Sequence, residues 1–470
     1  MSEQPAPVLE PARSTPILGE YDVVVLGGGP AGIVAAAAAG RTGRSTLLIE
    51  RYGFLGGAAT AAGVTNFCGL HANVHGEHKR VVHGLASEFI DRIDRLGGLN
   101  APHLSLAGKI MAQAYDTPAY KVAADEFLAA SGVRILFHAF GVGMAKRSER
   151  EIDAVLIESK SGRHAIRARM FIDCSGDGDL SAWAGAPYEI GDGAGNMLYP
   201  STHFRINGVD PVKAGRAWEV IPKLMEEEAK RGRQFPRKGA LVRPQKNPLE
   251  WRANVTQIKN ADGTAVSGID VLQLSDGEIQ GRRQSWDVFE FIKEATPGFE
   301  NAYIVDIAPQ IGIRETRRVV GEYMVSESDI LGCASFSDSI GVNGWPVEAH
   351  VPGSVVLKFP PIPESRGFNQ LPYRMIVPKG LDNLFVAGRC ASMTHDGQSS
   401  ARVSGPCFVM GQAAGTAADL ALRAGVSPAQ IDVAALQQRL VADGAWLGGD
   451  GESAGVGGAR ASLAAQASAR

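Results

Sequence analysis

Runs of branched apolar residues alternate with small-residue helical patterns in the first part of the chain, which predicts a buried parallel sheet. Residues 21–26 are continuously apolar and branched, the mark of a strand covered on both faces. A small-residue helix is expected over 31–43 and a second parallel strand over 45–50. Next the pattern predicts a helix at about 83–96, ending in Gly97-Gly98, another at 121–130 and a strand at 133–137. Paired strands at about 140–158 and 163–168 lead into one more buried strand over 169–174. From about 190 to 375 the regularity breaks. Polar connections lengthen and two loops carry tryptophan, which suggests an inserted domain. Residues 383–387 return to the buried-strand pattern, and 406–424 read as an Ala/Gly-rich helix.

Composition narrows the class without deciding it. A chain of 470 residues is too long for one core, so two joined domains are expected. Hydrophobic residues at 45% with 21% charged are ordinary for a globular protein, and a net charge of −3 gives no general attraction to nucleic acid. Lys230, Arg231, Arg233, Arg237 and Lys238 follow Glu226, Glu227 and Glu228, and read as a solvated helix end. The five cysteines are scattered, with no C-x-x-C pair, which argues against a disulfide framework, a zinc site or an iron–sulfur cluster. The N-terminus lacks the pattern of a signal peptide and no apolar run is long enough to span a membrane, so the cytoplasm is the expected location.

The first chemical signal is Gly27-Gly28-Gly29-Pro30-Ala31-Gly32, a G-x-G-x-x-G between a strand and a helix. Gly27 suits the tight turn, Gly29 lets backbone approach a pyrophosphate, and Gly32 lets the helix lie close to the strand. The pyrophosphate would sit on the positive end of the helix that begins near Pro30 and Ala31. Glu50 ends the second strand, where a carboxylate accepts hydrogen bonds from ribose hydroxyls; it disfavours a 2′-phosphate, although Arg51 follows. The fingerprint alone leaves FAD and NAD both open.

Two further blocks put a strand into a Gly-containing turn. One is Phe171-Ile172-Asp173-Cys174-Ser175-Gly176-Asp177-Gly178-Asp179, and the other is Leu384-Phe385-Val386-Ala387-Gly388-Arg389. With the fingerprint they resemble the three cofactor-contacting segments of the FAD-dependent oxidoreductase family, in the glutathione-reductase-like superfamily that also holds the fumarate reductase and succinate dehydrogenase flavoproteins. The likeness extends to 311–318, 371–374 and 411–418. It implies an α/β fold: a Rossmann-like FAD-binding domain, discontinuous in sequence, with an inserted α+β substrate or cap domain. The expected division is a flexible tail over 1–19, the FAD-binding domain over 20–189 and 376–446, the cap over 190–375 and a second tail over 447–470. By the same resemblance Ser175 and Gly176 pass the adenine side of FAD and Gly388 brings backbone close to the ribityl chain, with Asp177 and Arg389 as further cofactor contacts. The helix from about Pro406 would aim its amides at the flavin's pyrimidine edge, where reduced flavin carries negative charge. Some superfamily members link the flavin through a histidine after the second strand; residues 56–62 contain none, so non-covalent FAD is expected.

The implied activity is a dehydrogenase or reductase moving a hydride between flavin N5 and a small organic substrate, one that could bear a carboxylate or carbonyl. Two alternatives stay open. Asp177, Gly178 and Ser181 are reminiscent of aromatic hydroxylases, which suggests a flavin monooxygenase; against it, Ala184 stands where that motif has arginine. An electron-transfer subunit without its own substrate is the other. For the chemistry, His395 is the acid/base candidate, Arg402 a carboxylate clamp and Arg314 an anion contact. Arg314 and Arg318 would share a face if their segment were helical, with an ion-pair network to Glu315 and Glu322 as the plainer reading. His350 and Tyr373-Arg374 are further cap-side candidates, and the irregular His71, His75, His78 and His83 point to no metal site. The electron donor or acceptor and the state of self-association are left open by the sequence.

Overall fold

The computed structural model describes residues 8–106 and 108–449; of the two expected tails, 1–7 and 450–470 lie outside the described residues. Ile17–Leu26 (β1) sits mid-sheet, and its Val23, Val24 and Val25 are fully buried, as a strand covered on both faces requires. Helix Pro30–Gly40 (α1) follows, and a crossover leads to Thr46–Ile49 (β2), parallel to β1. Val133–Leu136 (β3) pairs parallel with β2. Phe140–Ser148 (β4), Glu151–Ser159 (β5) and Gly162–Asp173 (β6) form an antiparallel meander, and β6 runs back alongside β1 in parallel. The two strands expected over 163–174 are therefore one. Its first half pairs with β5, and its last three residues pair with a strand from far down the chain.

The inserted region builds its own core. His203–Asn207 (β7), Leu241–Pro244 (β8), Trp251–Asn254 (β9) and Tyr303–Ile307 (β10) form an antiparallel sheet in the order β8-β9-β7-β10. Alternation decides which way each residue points. Phe204, Ile206, Trp251 and Ala253 pack into an apolar cluster with Val288, Phe289 and Ile292 of helix Val271–Ala295 (α2). The intervening His203, Arg205, Arg252 and Asn254 therefore share the opposite face, with His203 opposite Asn254 and Arg205 opposite Arg252. That face is not solvent: His203, Arg252 and Asn254 are all buried. Antiparallel pairing of Tyr188–Glu189 with Arg318–Val319 ties the chain's exit from the first domain to its return. Beyond that tie, Val319, Ile340, Val342, Leu371 and Ile376 belong to the first domain's core.

Leu384–Val386 (β11) completes the parallel sheet on the edge of β6, through the pairs Phe171↔Leu384 and Asp173↔Val386. Two helices follow, His395–Ala401 (α3) and Ser404–Ala424 (α4), the latter starting one turn's fraction earlier than the expected 406. α4 lies directly on α1: a Cβ on Gly411 would run into the carbonyl oxygen of Ala31, and one on Gly415 into that of Ala35. Small residues in both helices are thus a packing requirement, since backbone meets backbone here.

Candidate active site

At the C-terminal edge of the parallel sheet, the Gly27–Gly32 turn joins β1 to α1 with the fingerprint's three glycines in distinct settings. A Cβ on Gly32 would strike the carbonyl oxygen of Gly27, so helix and turn are in contact. A Cβ on Gly29 would meet nothing within 4 Å, because Gly29 faces open space at the N-terminus of α1. Unpaired amides and the helix dipole converge on that space, which suits a phosphate group. Glu50 lies beside it, buried, accepting from the Gly28 amide at 2.8 Å and the Tyr52 amide at 3.0 Å. Burial raises its pKa above the ordinary carboxylate value, against the pull of those amides. Arg51 donates to Gln310 at 3.0 Å and lies over the Tyr52 ring.

The second and third blocks meet across the edge of β6. Asp173 is fully buried and holds the turn, accepting from the Ser175 hydroxyl at 2.7 Å and the Ser181 hydroxyl at 2.8 Å. Asp177 receives Arg389 at 2.9 Å and the Thr316 hydroxyl at 2.9 Å, so the two blocks are joined by an ion pair beside Gly176. Arg317 bonds Asp179 at 2.9 Å; burial and the nearby charges of Asp177 and Asp173 still raise the Asp179 pKa to about 6.

Four arginines gather between the polar face of the cap sheet and the first domain. Arg314 donates to the Tyr199 carbonyl and the Ser201 hydroxyl, each at 2.6 Å. Ser201 in turn bonds the Asn254 side chain at 3.3 Å, and Arg237 donates to the Asn254 carbonyl. Arg252 reaches from β9 to the Val64 carbonyl of the first domain. Arg402 caps the C-terminus of α3. The hydrogen-bond partners of Arg314, Arg237 and Arg252 are neutral oxygens, and Arg237, Arg252 and Arg402 each keep at least one sealed guanidinium nitrogen with no partner among the described residues. Burial, and then the charges of Arg402 and Arg237, press the Arg314 pKa well below its usual value; burial brings Arg237 down to about 10. One carboxylate, Glu348, acts on Arg402, Arg314 and Arg237 together. It accepts from the Trp345 indole at 2.8 Å and lies 3.3 Å from His350 Nε2. An enclosed surplus of positive charge is expensive unless an anion enters to balance it.

His395 lies at the margin of this chamber, at the start of α3. Its Nδ1 is 2.9 Å from Glu315, which is fully buried and also paired with Arg318. Burial opposes the ring's charge, but the hydrogen bond and charge of Glu315 outweigh it and raise the His395 pKa. The segment carrying Arg314 and Arg318 is extended and irregular, so the shared helical face expected for them is absent. Arg318 pairs with Glu315 and Glu189; Arg317 with Asp179; Arg314 with no carboxylate within ion-pair distance among the described residues. Of the expected ion-pair network only the Arg318–Glu315 pair forms among the described residues; Arg317 pairs with Asp179 instead, and Glu322 takes no part.

Residues 22–440 match the family described as FAD dependent oxidoreductase. The chain belongs to that family. FAD is therefore the cofactor of this oxidoreductase, and the open space before Gly29, the α1 N-terminus and the buried Glu50 fit its ADP half. A curated relative, the dihydrolipoyl dehydrogenase of Trypanosoma brucei brucei, is 49% identical over 51 residues, 11% of this chain and 11% of its own length. Among solved structures, a geranylgeranyl bacteriochlorophyll reductase-like protein of Thermoplasma acidophilum is 14% identical, covering 90% of this chain and 83% of its own, with a TM-score of 0.45. The p-nitrophenol 4-monooxygenase of Pseudomonas putida is 11% identical over 91% of this chain and 84% of its own, with a TM-score of 0.44.

Several members of the oxidoreductase's chamber escaped the sequence: Arg237, Arg252, His203 and Glu348. Arg237 was expected in a solvated basic run; Lys230 and Arg231 do pair with Glu226 and Glu228 at the surface, whereas Arg237 turns inward and is buried. The available signal was alternation, since 203–207 and 251–254 place charged or polar residues at every second position of strands otherwise built for a core. Tyr373 and Arg374 are engaged elsewhere, bonding the Pro428 carbonyl and Asp338. No group among the described residues could hold a metal, no helix among them is long and apolar enough to cross a membrane, and all five cysteines are free.

Proposed function

We propose that this FAD-dependent oxidoreductase is a dehydrogenase or reductase whose substrate is a small organic anion, held by a carboxylate in the arginine chamber. The observation that carries the reading is the enclosed set Arg237, Arg252, Arg314 and Arg402, in which Glu348 acts on Arg237, Arg314 and Arg402, and Glu315 acts on Arg402 alone. Bound FAD supplies a two-electron acceptor or donor at its N5. The chain's part is to bind, orient and keep water from the reacting atoms. Arg402 and Arg314 clamp the anion by charge-assisted hydrogen bonds from two sides, one from the end of α3 and one from the cap's return segment. His395, whose charged form Glu315 favours, donates a hydrogen bond at the chamber's margin.

In the same reading Gly27, Gly29, Pro30, Ala31 and Gly32 carry the pyrophosphate, and Glu50 the ribose, with Arg51 beside it. Ser175, Gly176 and Asp177 flank the adenine side, and Gly388 and Arg389 the ribityl chain. The first amides of α4 face the pyrimidine edge. With no histidine over 56–62, the FAD is held without a covalent link.

The test is purification with FAD bound, then anaerobic screening of small carboxylic acids against their amides and esters for bleaching of the visible flavin band. Bleaching by acids and not by the neutral analogues is expected. A protein that neither retains nor binds FAD ends the proposal; equal bleaching by neutral analogues removes its anion half.

A further inference from the structure

Oxidising an organic substrate by hydride removal also releases a proton, which needs a receiver close to the bond that breaks. His395 is poorly suited, since its Nδ1 is engaged by Glu315, which favours the charged ring. His350 is placed differently. It shares a side of strand Val347–Val351 with Glu348, two positions away, and the strand lies against the arginine chamber. Its Nε2 faces Glu348 at 3.3 Å, and the Trp345 indole fixes the other carboxylate oxygen at 2.8 Å. A proton on Nε2, shared with Glu348, leaves Nδ1 with its lone pair. Nδ1 has no partner among the described residues and is not among the sealed unpaired atoms.

The charged groups acting on His350 are Glu348 on its own strand, Arg314 on the cap's return segment and Arg402 at the end of α3. Burial, followed by the two arginines, holds the imidazole neutral against the pull of Glu348. A base held that weakly is a poor catalyst. An anion bound between the same arginines cancels their field, so anion binding and proton uptake at His350 must favour each other.

We propose that His350, oriented by Glu348, is the base of the reaction, and that the substrate's own carboxylate readies it by neutralising Arg314 and Arg402. In the oxidation two hydrogens leave adjacent substrate atoms: one as a proton to Nδ1, one with its electron pair to FAD, the oxidant. A double bond forms between the atoms that held them. Glu348 stays ionised throughout and stabilises the imidazolium; it is a positioning residue. The inference rests on the anion reading above.

The experiment uses FAD-loaded enzyme with 15N-histidine, and malonate as an unreactive probe. The His350 resonance, assigned by its loss in His350→Asn, is followed from acid to neutral pH with and without malonate, and proton uptake is measured calorimetrically in buffers of different ionisation enthalpy. Malonate should raise the His350 pKa by about one to two units and draw in up to about one proton per site. Glu348→Gln should bind malonate more tightly yet take up less proton, and His350→Asn should bind it with none. Flavin absorbance reports that each variant is folded. If malonate perturbs the flavin spectrum while His350 titrates unchanged, or if uptake persists in His350→Asn, the base assignment is wrong and the anion reading survives. If malonate leaves both the flavin spectrum and the heat signal flat, the anion reading itself falls.

Discussion

The nucleotide cradle and the arginine chamber lie in one protein but are built by opposite means. The cradle is made of backbone: a turn, the first amides of α1 and a single buried carboxylate, Glu50. The chamber is made of long charged side chains from four separate places, namely Arg237, β9, the segment around Arg314 and the end of α3. Backbone sites recognise what every FAD shares, and are indifferent to side-chain exchange so long as the space stays open. Side-chain sites recognise one class of substrate and carry their own instability, since buried guanidiniums that outnumber their counter-ions oppose folding.

The sharpest way to break the comparison is to fill one site and neutralise the other. Gly29→Leu should keep the fold by circular dichroism, since a Cβ there meets no protein atom within 4 Å, yet weaken FAD retention by about 100-fold or more. FAD retained at wild-type strength would mean the phosphates are not bound there. Arg252→Gln and Arg314→Gln should keep FAD and weaken malonate binding by about 10- to 100-fold, read by flavin difference spectra. Should either variant lose FAD as Gly29→Leu does, the two sites are not separable.

The same substitutions probe the stored instability. Without any anion, Arg252→Gln should be as stable as the parent or more stable by about 1–3 kcal/mol in denaturant unfolding. A clear loss would show that the guanidinium is balanced after all.

The two histidines should respond to pH with opposite sign. His395 has its folded pKa raised, so its contribution is full below the unfolded value near 6.5 and fades as pH rises through the folded value. His350 has its folded pKa depressed, so stability falls as pH drops below about 6.5 and the unfolded chain alone takes the proton. Melting temperatures for the two variants should therefore part from the parent in opposite directions on the acid side, His395→Asn losing stability there and His350→Asn escaping the parent's acid-side decline. The smallest effect concerns Asp177 and Arg389: a double-mutant cycle on FAD affinity should give a coupling of about 1 kcal/mol.

The sequence showed the cradle clearly because its requirements are local. Gly27, Gly29 and Gly32 stand at fixed spacing between a strand pattern and a helix pattern, so short-range sterics write them into adjacent positions. β6 and β11 were legible as buried apolar runs, though their pairing was not, because nothing in 171–173 names 384–386 as its partner. The chamber was half visible. Arg314, Arg402 and His350 stood out by residue type, whereas Arg237 looked like part of a surface run and Arg252 like an ordinary strand position. Their burial depends on which face of the cap sheet meets the first domain, and that is decided by tertiary packing.

The close seat of α4 on α1 also bears on how the molecule is made. Ala31 and Ala35 emerge from the ribosome about 380 residues before Gly411 and Gly415, which cover their carbonyls. Until then the growing chain carries a bare strand edge at Phe171–Asp173 and an uncovered small-residue helix, both open to wrong partners. The nascent protein cannot close its cofactor domain before β11 and α4 have been made, so a chain interrupted before β11 should be a substrate for chaperones and proteases, never a smaller flavoprotein. Pulse-labelled chains stopped at residue 380 and tested for protease resistance with FAD present would decide the matter, resistance counting against it.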